Sequence, residues 1–273
     1  MKTVQLSVEA IEEHAKGIRK KILTMNSHAG QGHTGGDLSE ADVLACLYFR
    51  VLGVGPGYLT DPDRNRFVLS KGHGVGGFYS ALMEAGLLDE SLLDTYLKFD
   101  SALPGHPVRQ KNAYVEINTG GLGHGLAVAT GLALGAKKAH RPSRVFVLTG
   151  DGELQEGSVW EAAMAASQFK LDNLTVIVDR NGLQLADKTE TIMALEPLAD
   201  KWRAFGFHVL EIDGNDVASI LGALEAAPQP GKPTVVIAKT TKGKGVSFIE
   251  GKAAWHHKIP VGDELALAIE ELE

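Results

Sequence analysis

Cysteine is almost missing from this chain: Cys46 is the only one in 273 residues, so no disulfide can form within it. It lies among Leu44, Leu47, Tyr48 and Val51 on an apolar helical face, which is the setting of a buried structural thiol rather than a nucleophile. Clustered basic residues are missing too. With a formal net charge of −7 and no Lys/Arg stripe, the chain is a poor match for a nucleic-acid backbone. The first residues, MKTVQLSVEAIEEHAK, contain no continuous apolar stretch of the signal-peptide kind, and the longest small-apolar run, Leu126 to Ala136, is too short to span a bilayer. A cytoplasmic protein with no membrane partner is expected. No internal repeat, low-complexity tract or Pro/Ser-rich linker divides the chain, so one domain over residues 1–273 is expected, with enough length to bury a full core.

What is present is concentrated between Val145 and Gln184. An apolar run from Val145 to Leu148 ends in Gly150-Asp151-Gly152, and a second, Leu174 to Val178, ends in Asp179-Arg180-Asn181-Gly182. Between them, Val159, Trp160, Ala163, Met164 and Ser167 recur at helical spacing within 157–169, so the unit reads as strand, helix, parallel strand. Asp151 and Asn181 then stand at the same end of adjacent strands, the end where open α/β sheets bind ligands. Mg²⁺ takes hard oxygens in an octahedron, one or two from side chains and the rest from phosphates and water. An Asp carboxylate, an Asn amide oxygen and a turn carbonyl suit it, and the glycines allow close approach of a diphosphate to the start of the following helix. Taken alone, a Gly-Asp-Gly turn is common in α/β proteins.

The remaining pattern supports a doubly wound, mainly parallel sheet with helices on both faces. Helices are expected over 8–25, over 39–52 with Ser39 as N-cap, from 74 to Glu84, over 126–138 and over 217–226, with a loop from Asn26 to Asp37. Further strands are expected at 66–70, 115–118, 208–212 and 234–240.

Of ten histidines, His33, His73, His106 and His124 lie beside glycines in loops next to these elements, and His256 and His257 form a pair. Such loops are where a rigid scaffold presents catalytic groups, and imidazole titrates near neutrality.

The wording GDGELQEGSVWEAA, and the thirty positions from Asp151 to Asn181, resemble the thiamine diphosphate signature of transketolases, and the resemblance extends from Arg19 to Pro260. It implies the transketolase diphosphate-binding fold, thiamine diphosphate with Mg²⁺ (or Ca²⁺ or Mn²⁺) as cofactors, and metal ligation by Asp151, Asn181 and the Leu183 carbonyl. By the same resemblance Gly152 and Glu153 contact the cofactor, and Gly120, Gly121 and Leu122 form the loop against its aminopyrimidine side. His33 and His106 are implied as sugar contacts, and His73 and His257 as groups touching both diphosphate and sugar. Glu156 and Glu161 are either favourable charges at a helix start or, by the resemblance, acids at a subunit interface.

Several positions depart from the family pattern. Thr34 replaces the usual Pro, Gly121 a frequent Pro or Ser, His124 a frequent Gln, and Lys258 the Gly that usually follows the late histidine. His124 is expected to serve the cofactor loop structurally, and the donor sugar need not be the ordinary pentose phosphate. The resemblance covers only the diphosphate-binding domain, while the glutamate that activates the cofactor belongs to the next domain. It therefore implies the N-terminal subunit of a split transketolase (EC 2.2.1.-) that moves a two-carbon ketol unit from an anionic ketose to an aldose. The expected partner is a C-terminal subunit with the pyrimidine-binding domain, in a heterotetramer of two of each. The alternatives are the alpha subunit of a 2-oxo acid dehydrogenase and a non-catalytic cofactor-binding paralogue, but the His33, His73 and His106 loops favour chemistry on sugar hydroxyls.

Overall fold

A computed structural model describes residues 6–185 and 187–273. Five strands, β1 (Arg66–Leu69), β2 (Val145–Gly150), β3 (Leu174–Arg180), β4 (His208–Asp213) and β5 (Thr234–Lys239), form one wholly parallel sheet in the order β1-β2-β3-β5-β4. Successive strand residues point to opposite faces, and the sequence uses both. Phe67, Leu69, Phe146, Leu148, Ile177 and Val236 enter one core, while Val68, Val145, Val147, Val176, Val178, Val235 and Ile237 enter the other. That is why the strands read as unbroken apolar runs rather than alternating ones.

Helices α1 (Val8–Ala29), α2 (Thr34–Ser39), α3 (Ala41–Cys46) and α4 (Val75–Glu84) precede α5 (Gly125–Lys138) and α6 (Gly157–Gln168). A single turn α7 (Thr189–Ile192), then α8 (Leu198–Ala204), α9 (Val217–Ala226) and α10 (Asp263–Glu270) follow. The first core takes α1, α3, α4, α9 and α10, and the second takes α5, α6 and α8. α1 starts at Ser7, whose hydroxyl accepts the Ala10 N–H, and stops at Gly30 in the left-handed region at φ 71°.

Three expectations fail locally. Residues 115–118 form no strand: Glu116 is drawn into a buried pair with Arg64 and Arg66, and the Arg109 N–H is satisfied by the Asn118 side chain instead of a ladder. The expected loop Asn26–Asp37 is largely helical, since α1 continues through Ala29 and α2 starts at Thr34. The expected helix over 39–52 is broken at Glu40 into α2 and α3, then widens to a π-helical turn at Leu47–Val51. Ser39 ends α2 rather than capping a helix, because its hydroxyl donates 2.6 Å to Asp179 across the sheet edge. The N-terminal residues 1–5 and Ala186 lie outside the described residues.

Candidate active site

The carboxyl ends of β1, β2, β3 and β5 deliver Lys71, Asp151, Asn181 and Lys242 to a single edge of the sheet. The Gly150↔Asp179 register puts the residues after β2 and β3 side by side, as the strand, helix, strand reading required. Between these ends opens a cavity of about 490 Å³, walled by His73, Leu122, Asp151, Gly152, Glu153, Asn181 and Leu183 together with Lys71, Lys242 and His256.

Asp151 is 2% exposed and tightly oriented. Its Oδ1 accepts from the Gly152 N–H (2.7 Å), and its Oδ2 accepts from the Gly182 N–H (2.7 Å) and the Arg180 guanidinium (3.0 Å). Burial raises its pKa, reinforced by Asp179 and opposed by the Gly182 N–H and Arg180. Asn181 donates 3.1 Å to Asp179 and accepts from the Leu183 N–H at 3.1 Å, which fixes its amide oxygen within the turn. The Leu183 carbonyl accepts from Lys242 Nζ at 3.3 Å. A carboxylate, an amide and a carbonyl on adjacent strand ends form a hard-oxygen set that fits Mg²⁺ beside a diphosphate. Glu153 works differently: buried, it accepts from Ser70 and from the Gly123 and Gly150 N–H groups at 2.9 and 3.0 Å, tying the Gly120–Leu122 loop to β1 and β2.

Beneath the cavity lies a charge cluster that sequence patterning missed. Lys71, 1% exposed, donates to Asp179 (2.6 Å) and the Gly36 carbonyl (3.0 Å), and its Nζ is 3.0 Å from Glu40 Oε2. Burial alone would raise the Asp179 pKa, but Lys71 and the hydroxyls of Ser39 and Thr240 hold it below the ordinary value. Burial pushes Glu40 upward and Asp37 to about 6. These acids press on the start of α4, where a Cβ on Gly76 would come within 2.5 Å of Asp37 Oδ2 and one on Gly77 within 2.6 Å of Glu40 Oε1.

The histidines converge only in part. His33 lies 5.2 Å from His73, 5.4 Å from His256 and 4.5 Å from His257, ring centroid to centroid. Burial, then neighbouring cationic groups, lowers the pKa of His33 to about 4, of His73 to about 2 and of His256 to about 3, so these imidazoles stay neutral at pH 7. His106 is exposed and packs edge-on to Gly120, whose φ of +146° and missing Cβ make the contact possible. Neither His106, Gly120 nor Gly121 reaches the cavity wall, and His124, at the start of α5, is exposed.

The late histidine was expected at 257, and the ring that lines the cavity is His256. Residues Ala253–His256 form a 3₁₀ turn anchored by buried Trp255, and three residues per turn point neighbouring side chains in different directions. His256 faces the cavity, with its Nδ1 2.9 Å from Lys242 Nζ, while His257 is exposed, outside the cavity wall, with its ring 4.5 Å from that of His33 and 4.7 Å from that of His256. Lys242 is missed as well. Burial, then Lys71, lowers it to about 8, leaving a cation in the wall whose only carboxylate support is the more distant Asp179 and Asp151. Nothing in the sequence marks it beyond its place three residues past Lys239, the end of β5. Glu156 and Glu161 are both exposed, Glu156 at the cavity edge and Glu161 on α6.

The model of the transketolase thiamine diphosphate-binding domain matches residues 11–271. The chain is 54% identical to an apulose-4-phosphate transketolase subunit from Actinobacillus succinogenes, covering all of this chain and 99% of that one. It is 42% identical to a 6-deoxy-6-sulfo-D-fructose transketolase subunit, SqwG, of a Clostridium species, over 96% of each. Longer proteins are also similar. Human transketolase is 39% identical over 93% of this chain, and the Campylobacter jejuni transketolase structure superposes with a TM-score of 0.88 at 35% identity over 98% of it. The chain spans 40% and 43% of those two proteins.

Proposed function

The chain belongs to the transketolase family, and from that premise we propose that it acts as the diphosphate-binding subunit of a two-subunit enzyme moving a ketol unit between sugars. The observation that carries the proposal is the meeting, on one cavity, of the oxygen set Asp151, Asn181 and Leu183 with the imidazoles of His73 and His256 and, beside them, His33. A divalent ion such as Mg²⁺ is assigned to the oxygen set. Thiamine diphosphate supplies the carbanion chemistry that breaks and remakes the carbon–carbon bond.

The protein's part is to bind, orient and move protons. Lys242 and Gly152 line the cavity beside the oxygen set, and Lys242 offers the diphosphate a positive charge there. His33, His73 and His256 are neutral, so each ring has one nitrogen free to accept a proton and one N–H to donate. His33, whose ring stands 5.2 Å from that of His73, is assigned to the sugar hydroxyl that loses its proton as the bond breaks. His256 and His73 hold the substrate end next to the diphosphate. His106 and His257, assigned to the sugar by family resemblance, are exposed and lie outside the cavity wall.

The partner subunit is proposed to bring the pyrimidine-binding domain, in an assembly of two of each chain. The relatives named for apulose 4-phosphate and 6-deoxy-6-sulfo-D-fructose both carry an anionic tail in their named sugar. A ketose with such a tail is the donor class proposed here, with apulose 4-phosphate the first to test. The 2-oxo acid dehydrogenase reading is not favoured by the relatives. Co-purified with its partner, this chain is expected to transfer a ketol unit from apulose 4-phosphate to an aldose; alone it is expected to be inactive. Turnover by the chain alone, or decarboxylation of a 2-oxo acid by the pair, would refute the assignment.

A further inference from the structure

The family pattern places glycine after the late histidine, and with His256 facing the cavity that glycine position is held by His257. This chain therefore has a surplus imidazole at the cavity rim. It does not point away from the others. Ring centroids of His33, His256 and His257 are separated by 5.4, 4.5 and 4.7 Å, at interplanar angles of 89°, 56° and 79°. One ring nitrogen from each lies within 4.8 Å of the others.

A tetrahedral zinc site with Zn–N bonds of about 2.0–2.1 Å sets its ligand nitrogens roughly 3.4 Å apart and their ring centroids roughly 5 Å apart, with the rings splayed. The centroids here already match, and small side-chain rotations close the nitrogens. Imidazole also sorts the metals, because nitrogen donors suit zinc, cobalt, nickel and copper while Mg²⁺ prefers oxygen. We propose that His33, His256 and His257 form a second metal site, for a zinc-class divalent ion, separate from the oxygen set at Asp151 and Asn181.

The three protein ligands leave a fourth position for water. Lys242 is the main opposing group: its Nζ lies 2.9 Å from His256 Nδ1, so metal on the other ring nitrogen requires the ring proton on Nδ1 facing a neutral Lys242 amine, and binding releases one proton from this pair to solvent. An ion so held takes His33 away from the sugar. That consequence rests on the function proposed above, whereas the site itself does not.

Calorimetric titration of zinc chloride into the full chain, with neither partner nor sugar present, is expected to show one bound zinc. His257→Gly and His33→Ala are each expected to weaken it at least tenfold, and Asp151→Ala to leave it unchanged. Cobalt(II) added to the unaltered chain is expected to give the intense visible bands of tetrahedral coordination. Zinc affinity within twofold of the original in His257→Gly, loss of binding in Asp151→Ala, or only the weak bands of octahedral cobalt would each overturn the site. In the assembled enzyme one equivalent of zinc is expected to lower ketol transfer, and full turnover with zinc bound would refute the competition for His33.

Discussion

Replacing Lys71 by Met would delete the cation that sits among three buried acids, Asp37, Glu40 and Asp179, each 0% exposed. The methionine side chain nearly fills the same space, so the change is electrostatic more than steric. Breaking a buried ion pair from one side costs about 3–5 kcal/mol, because the orphaned charge stays out of water. Asp179 bears most of it, since it loses a 2.6 Å contact, while Glu40 is within ion-pair distance of Lys71 but accepts no well-directed hydrogen bond. At about 2–4 °C per kcal/mol for a chain of this size, the melting temperature should fall by roughly 6–20 °C. The loss should also depend on pH. Without the ammonium the folded-state pKa of Asp179 rises above its unfolded value and that of Glu40, already raised by burial, rises further, so the folded form binds the extra protons. The relative stability of the variant is then greatest at low pH and declines as pH rises from about 4 through those raised values, by up to about 1.4 kcal/mol per pH unit for each group. Scanning calorimetry of both proteins at pH 5 and pH 8 measures the difference, and adding Glu40→Gln should recover part of it at pH 8. A melting temperature within 2 °C of the original at both pH values would refute this account of the cluster.

Other consequences are open to direct measurement. Asp151→Ala removes the only anionic oxygen ligand assigned to the divalent ion, and calorimetry on the assembled enzyme should show thiamine diphosphate affinity collapsing; Asn181→Ala, which removes a neutral ligand, should weaken it less. His256→Ala should raise the cofactor dissociation constant and lower turnover together, whereas His257→Ala should leave cofactor affinity within about twofold; the reverse order would restore the assignment at 257. His33→Ala should keep cofactor binding and lose roughly 10²-fold in turnover if a proton-transfer group has gone. His33 and His256 titrate near 4 and 3 when folded against 6.5 unfolded, so the unfolded chain binds more protons between those values and stability falls as pH drops below 6.5. Urea melts at pH 7.5 and 5 should show a smaller fall for His33→Asn than for the unaltered chain.

Strands were legible from the sequence because a parallel sheet buried on both faces leaves unbroken runs such as Val145–Leu148 and Leu174–Val178, each with a glycine or charged stop. The Asp151 and Asn181 placement followed from the same periodicity. What failed was short and polar. The break at Glu40 and the irregular course of 115–118 are set by carboxylates seeking distant cations, Glu40 near Lys71 and Glu116 beside Arg64 and Arg66, and nothing in local spacing reports such a pairing. Which of the two late histidines lines the cavity was hidden for a related reason. Family motifs place a late histidine but cannot choose between two adjacent ones, and only the 3₁₀ turn around Trp255 decides which ring turns inward. Lys71 and Lys242 look in sequence like ordinary solvated lysines, and only burial distinguishes them.

The contact of Asp37 and Glu40 with the backbone of Gly76 and Gly77 bears on how this protein can change over time. Each acid occupies the volume that a side chain on the facing glycine would need, so neither partner can be exchanged alone without a collision or a stranded charge. Residues 37–40 and 71–77, far apart in the chain, are thereby bound to a common evolutionary fate. Diversity in sugar choice has to accumulate elsewhere, on the exposed stretch that carries His257 and Lys258, where a side chain can be traded one at a time. A laboratory selection for new donors would do best to leave the floor untouched and randomise that stretch.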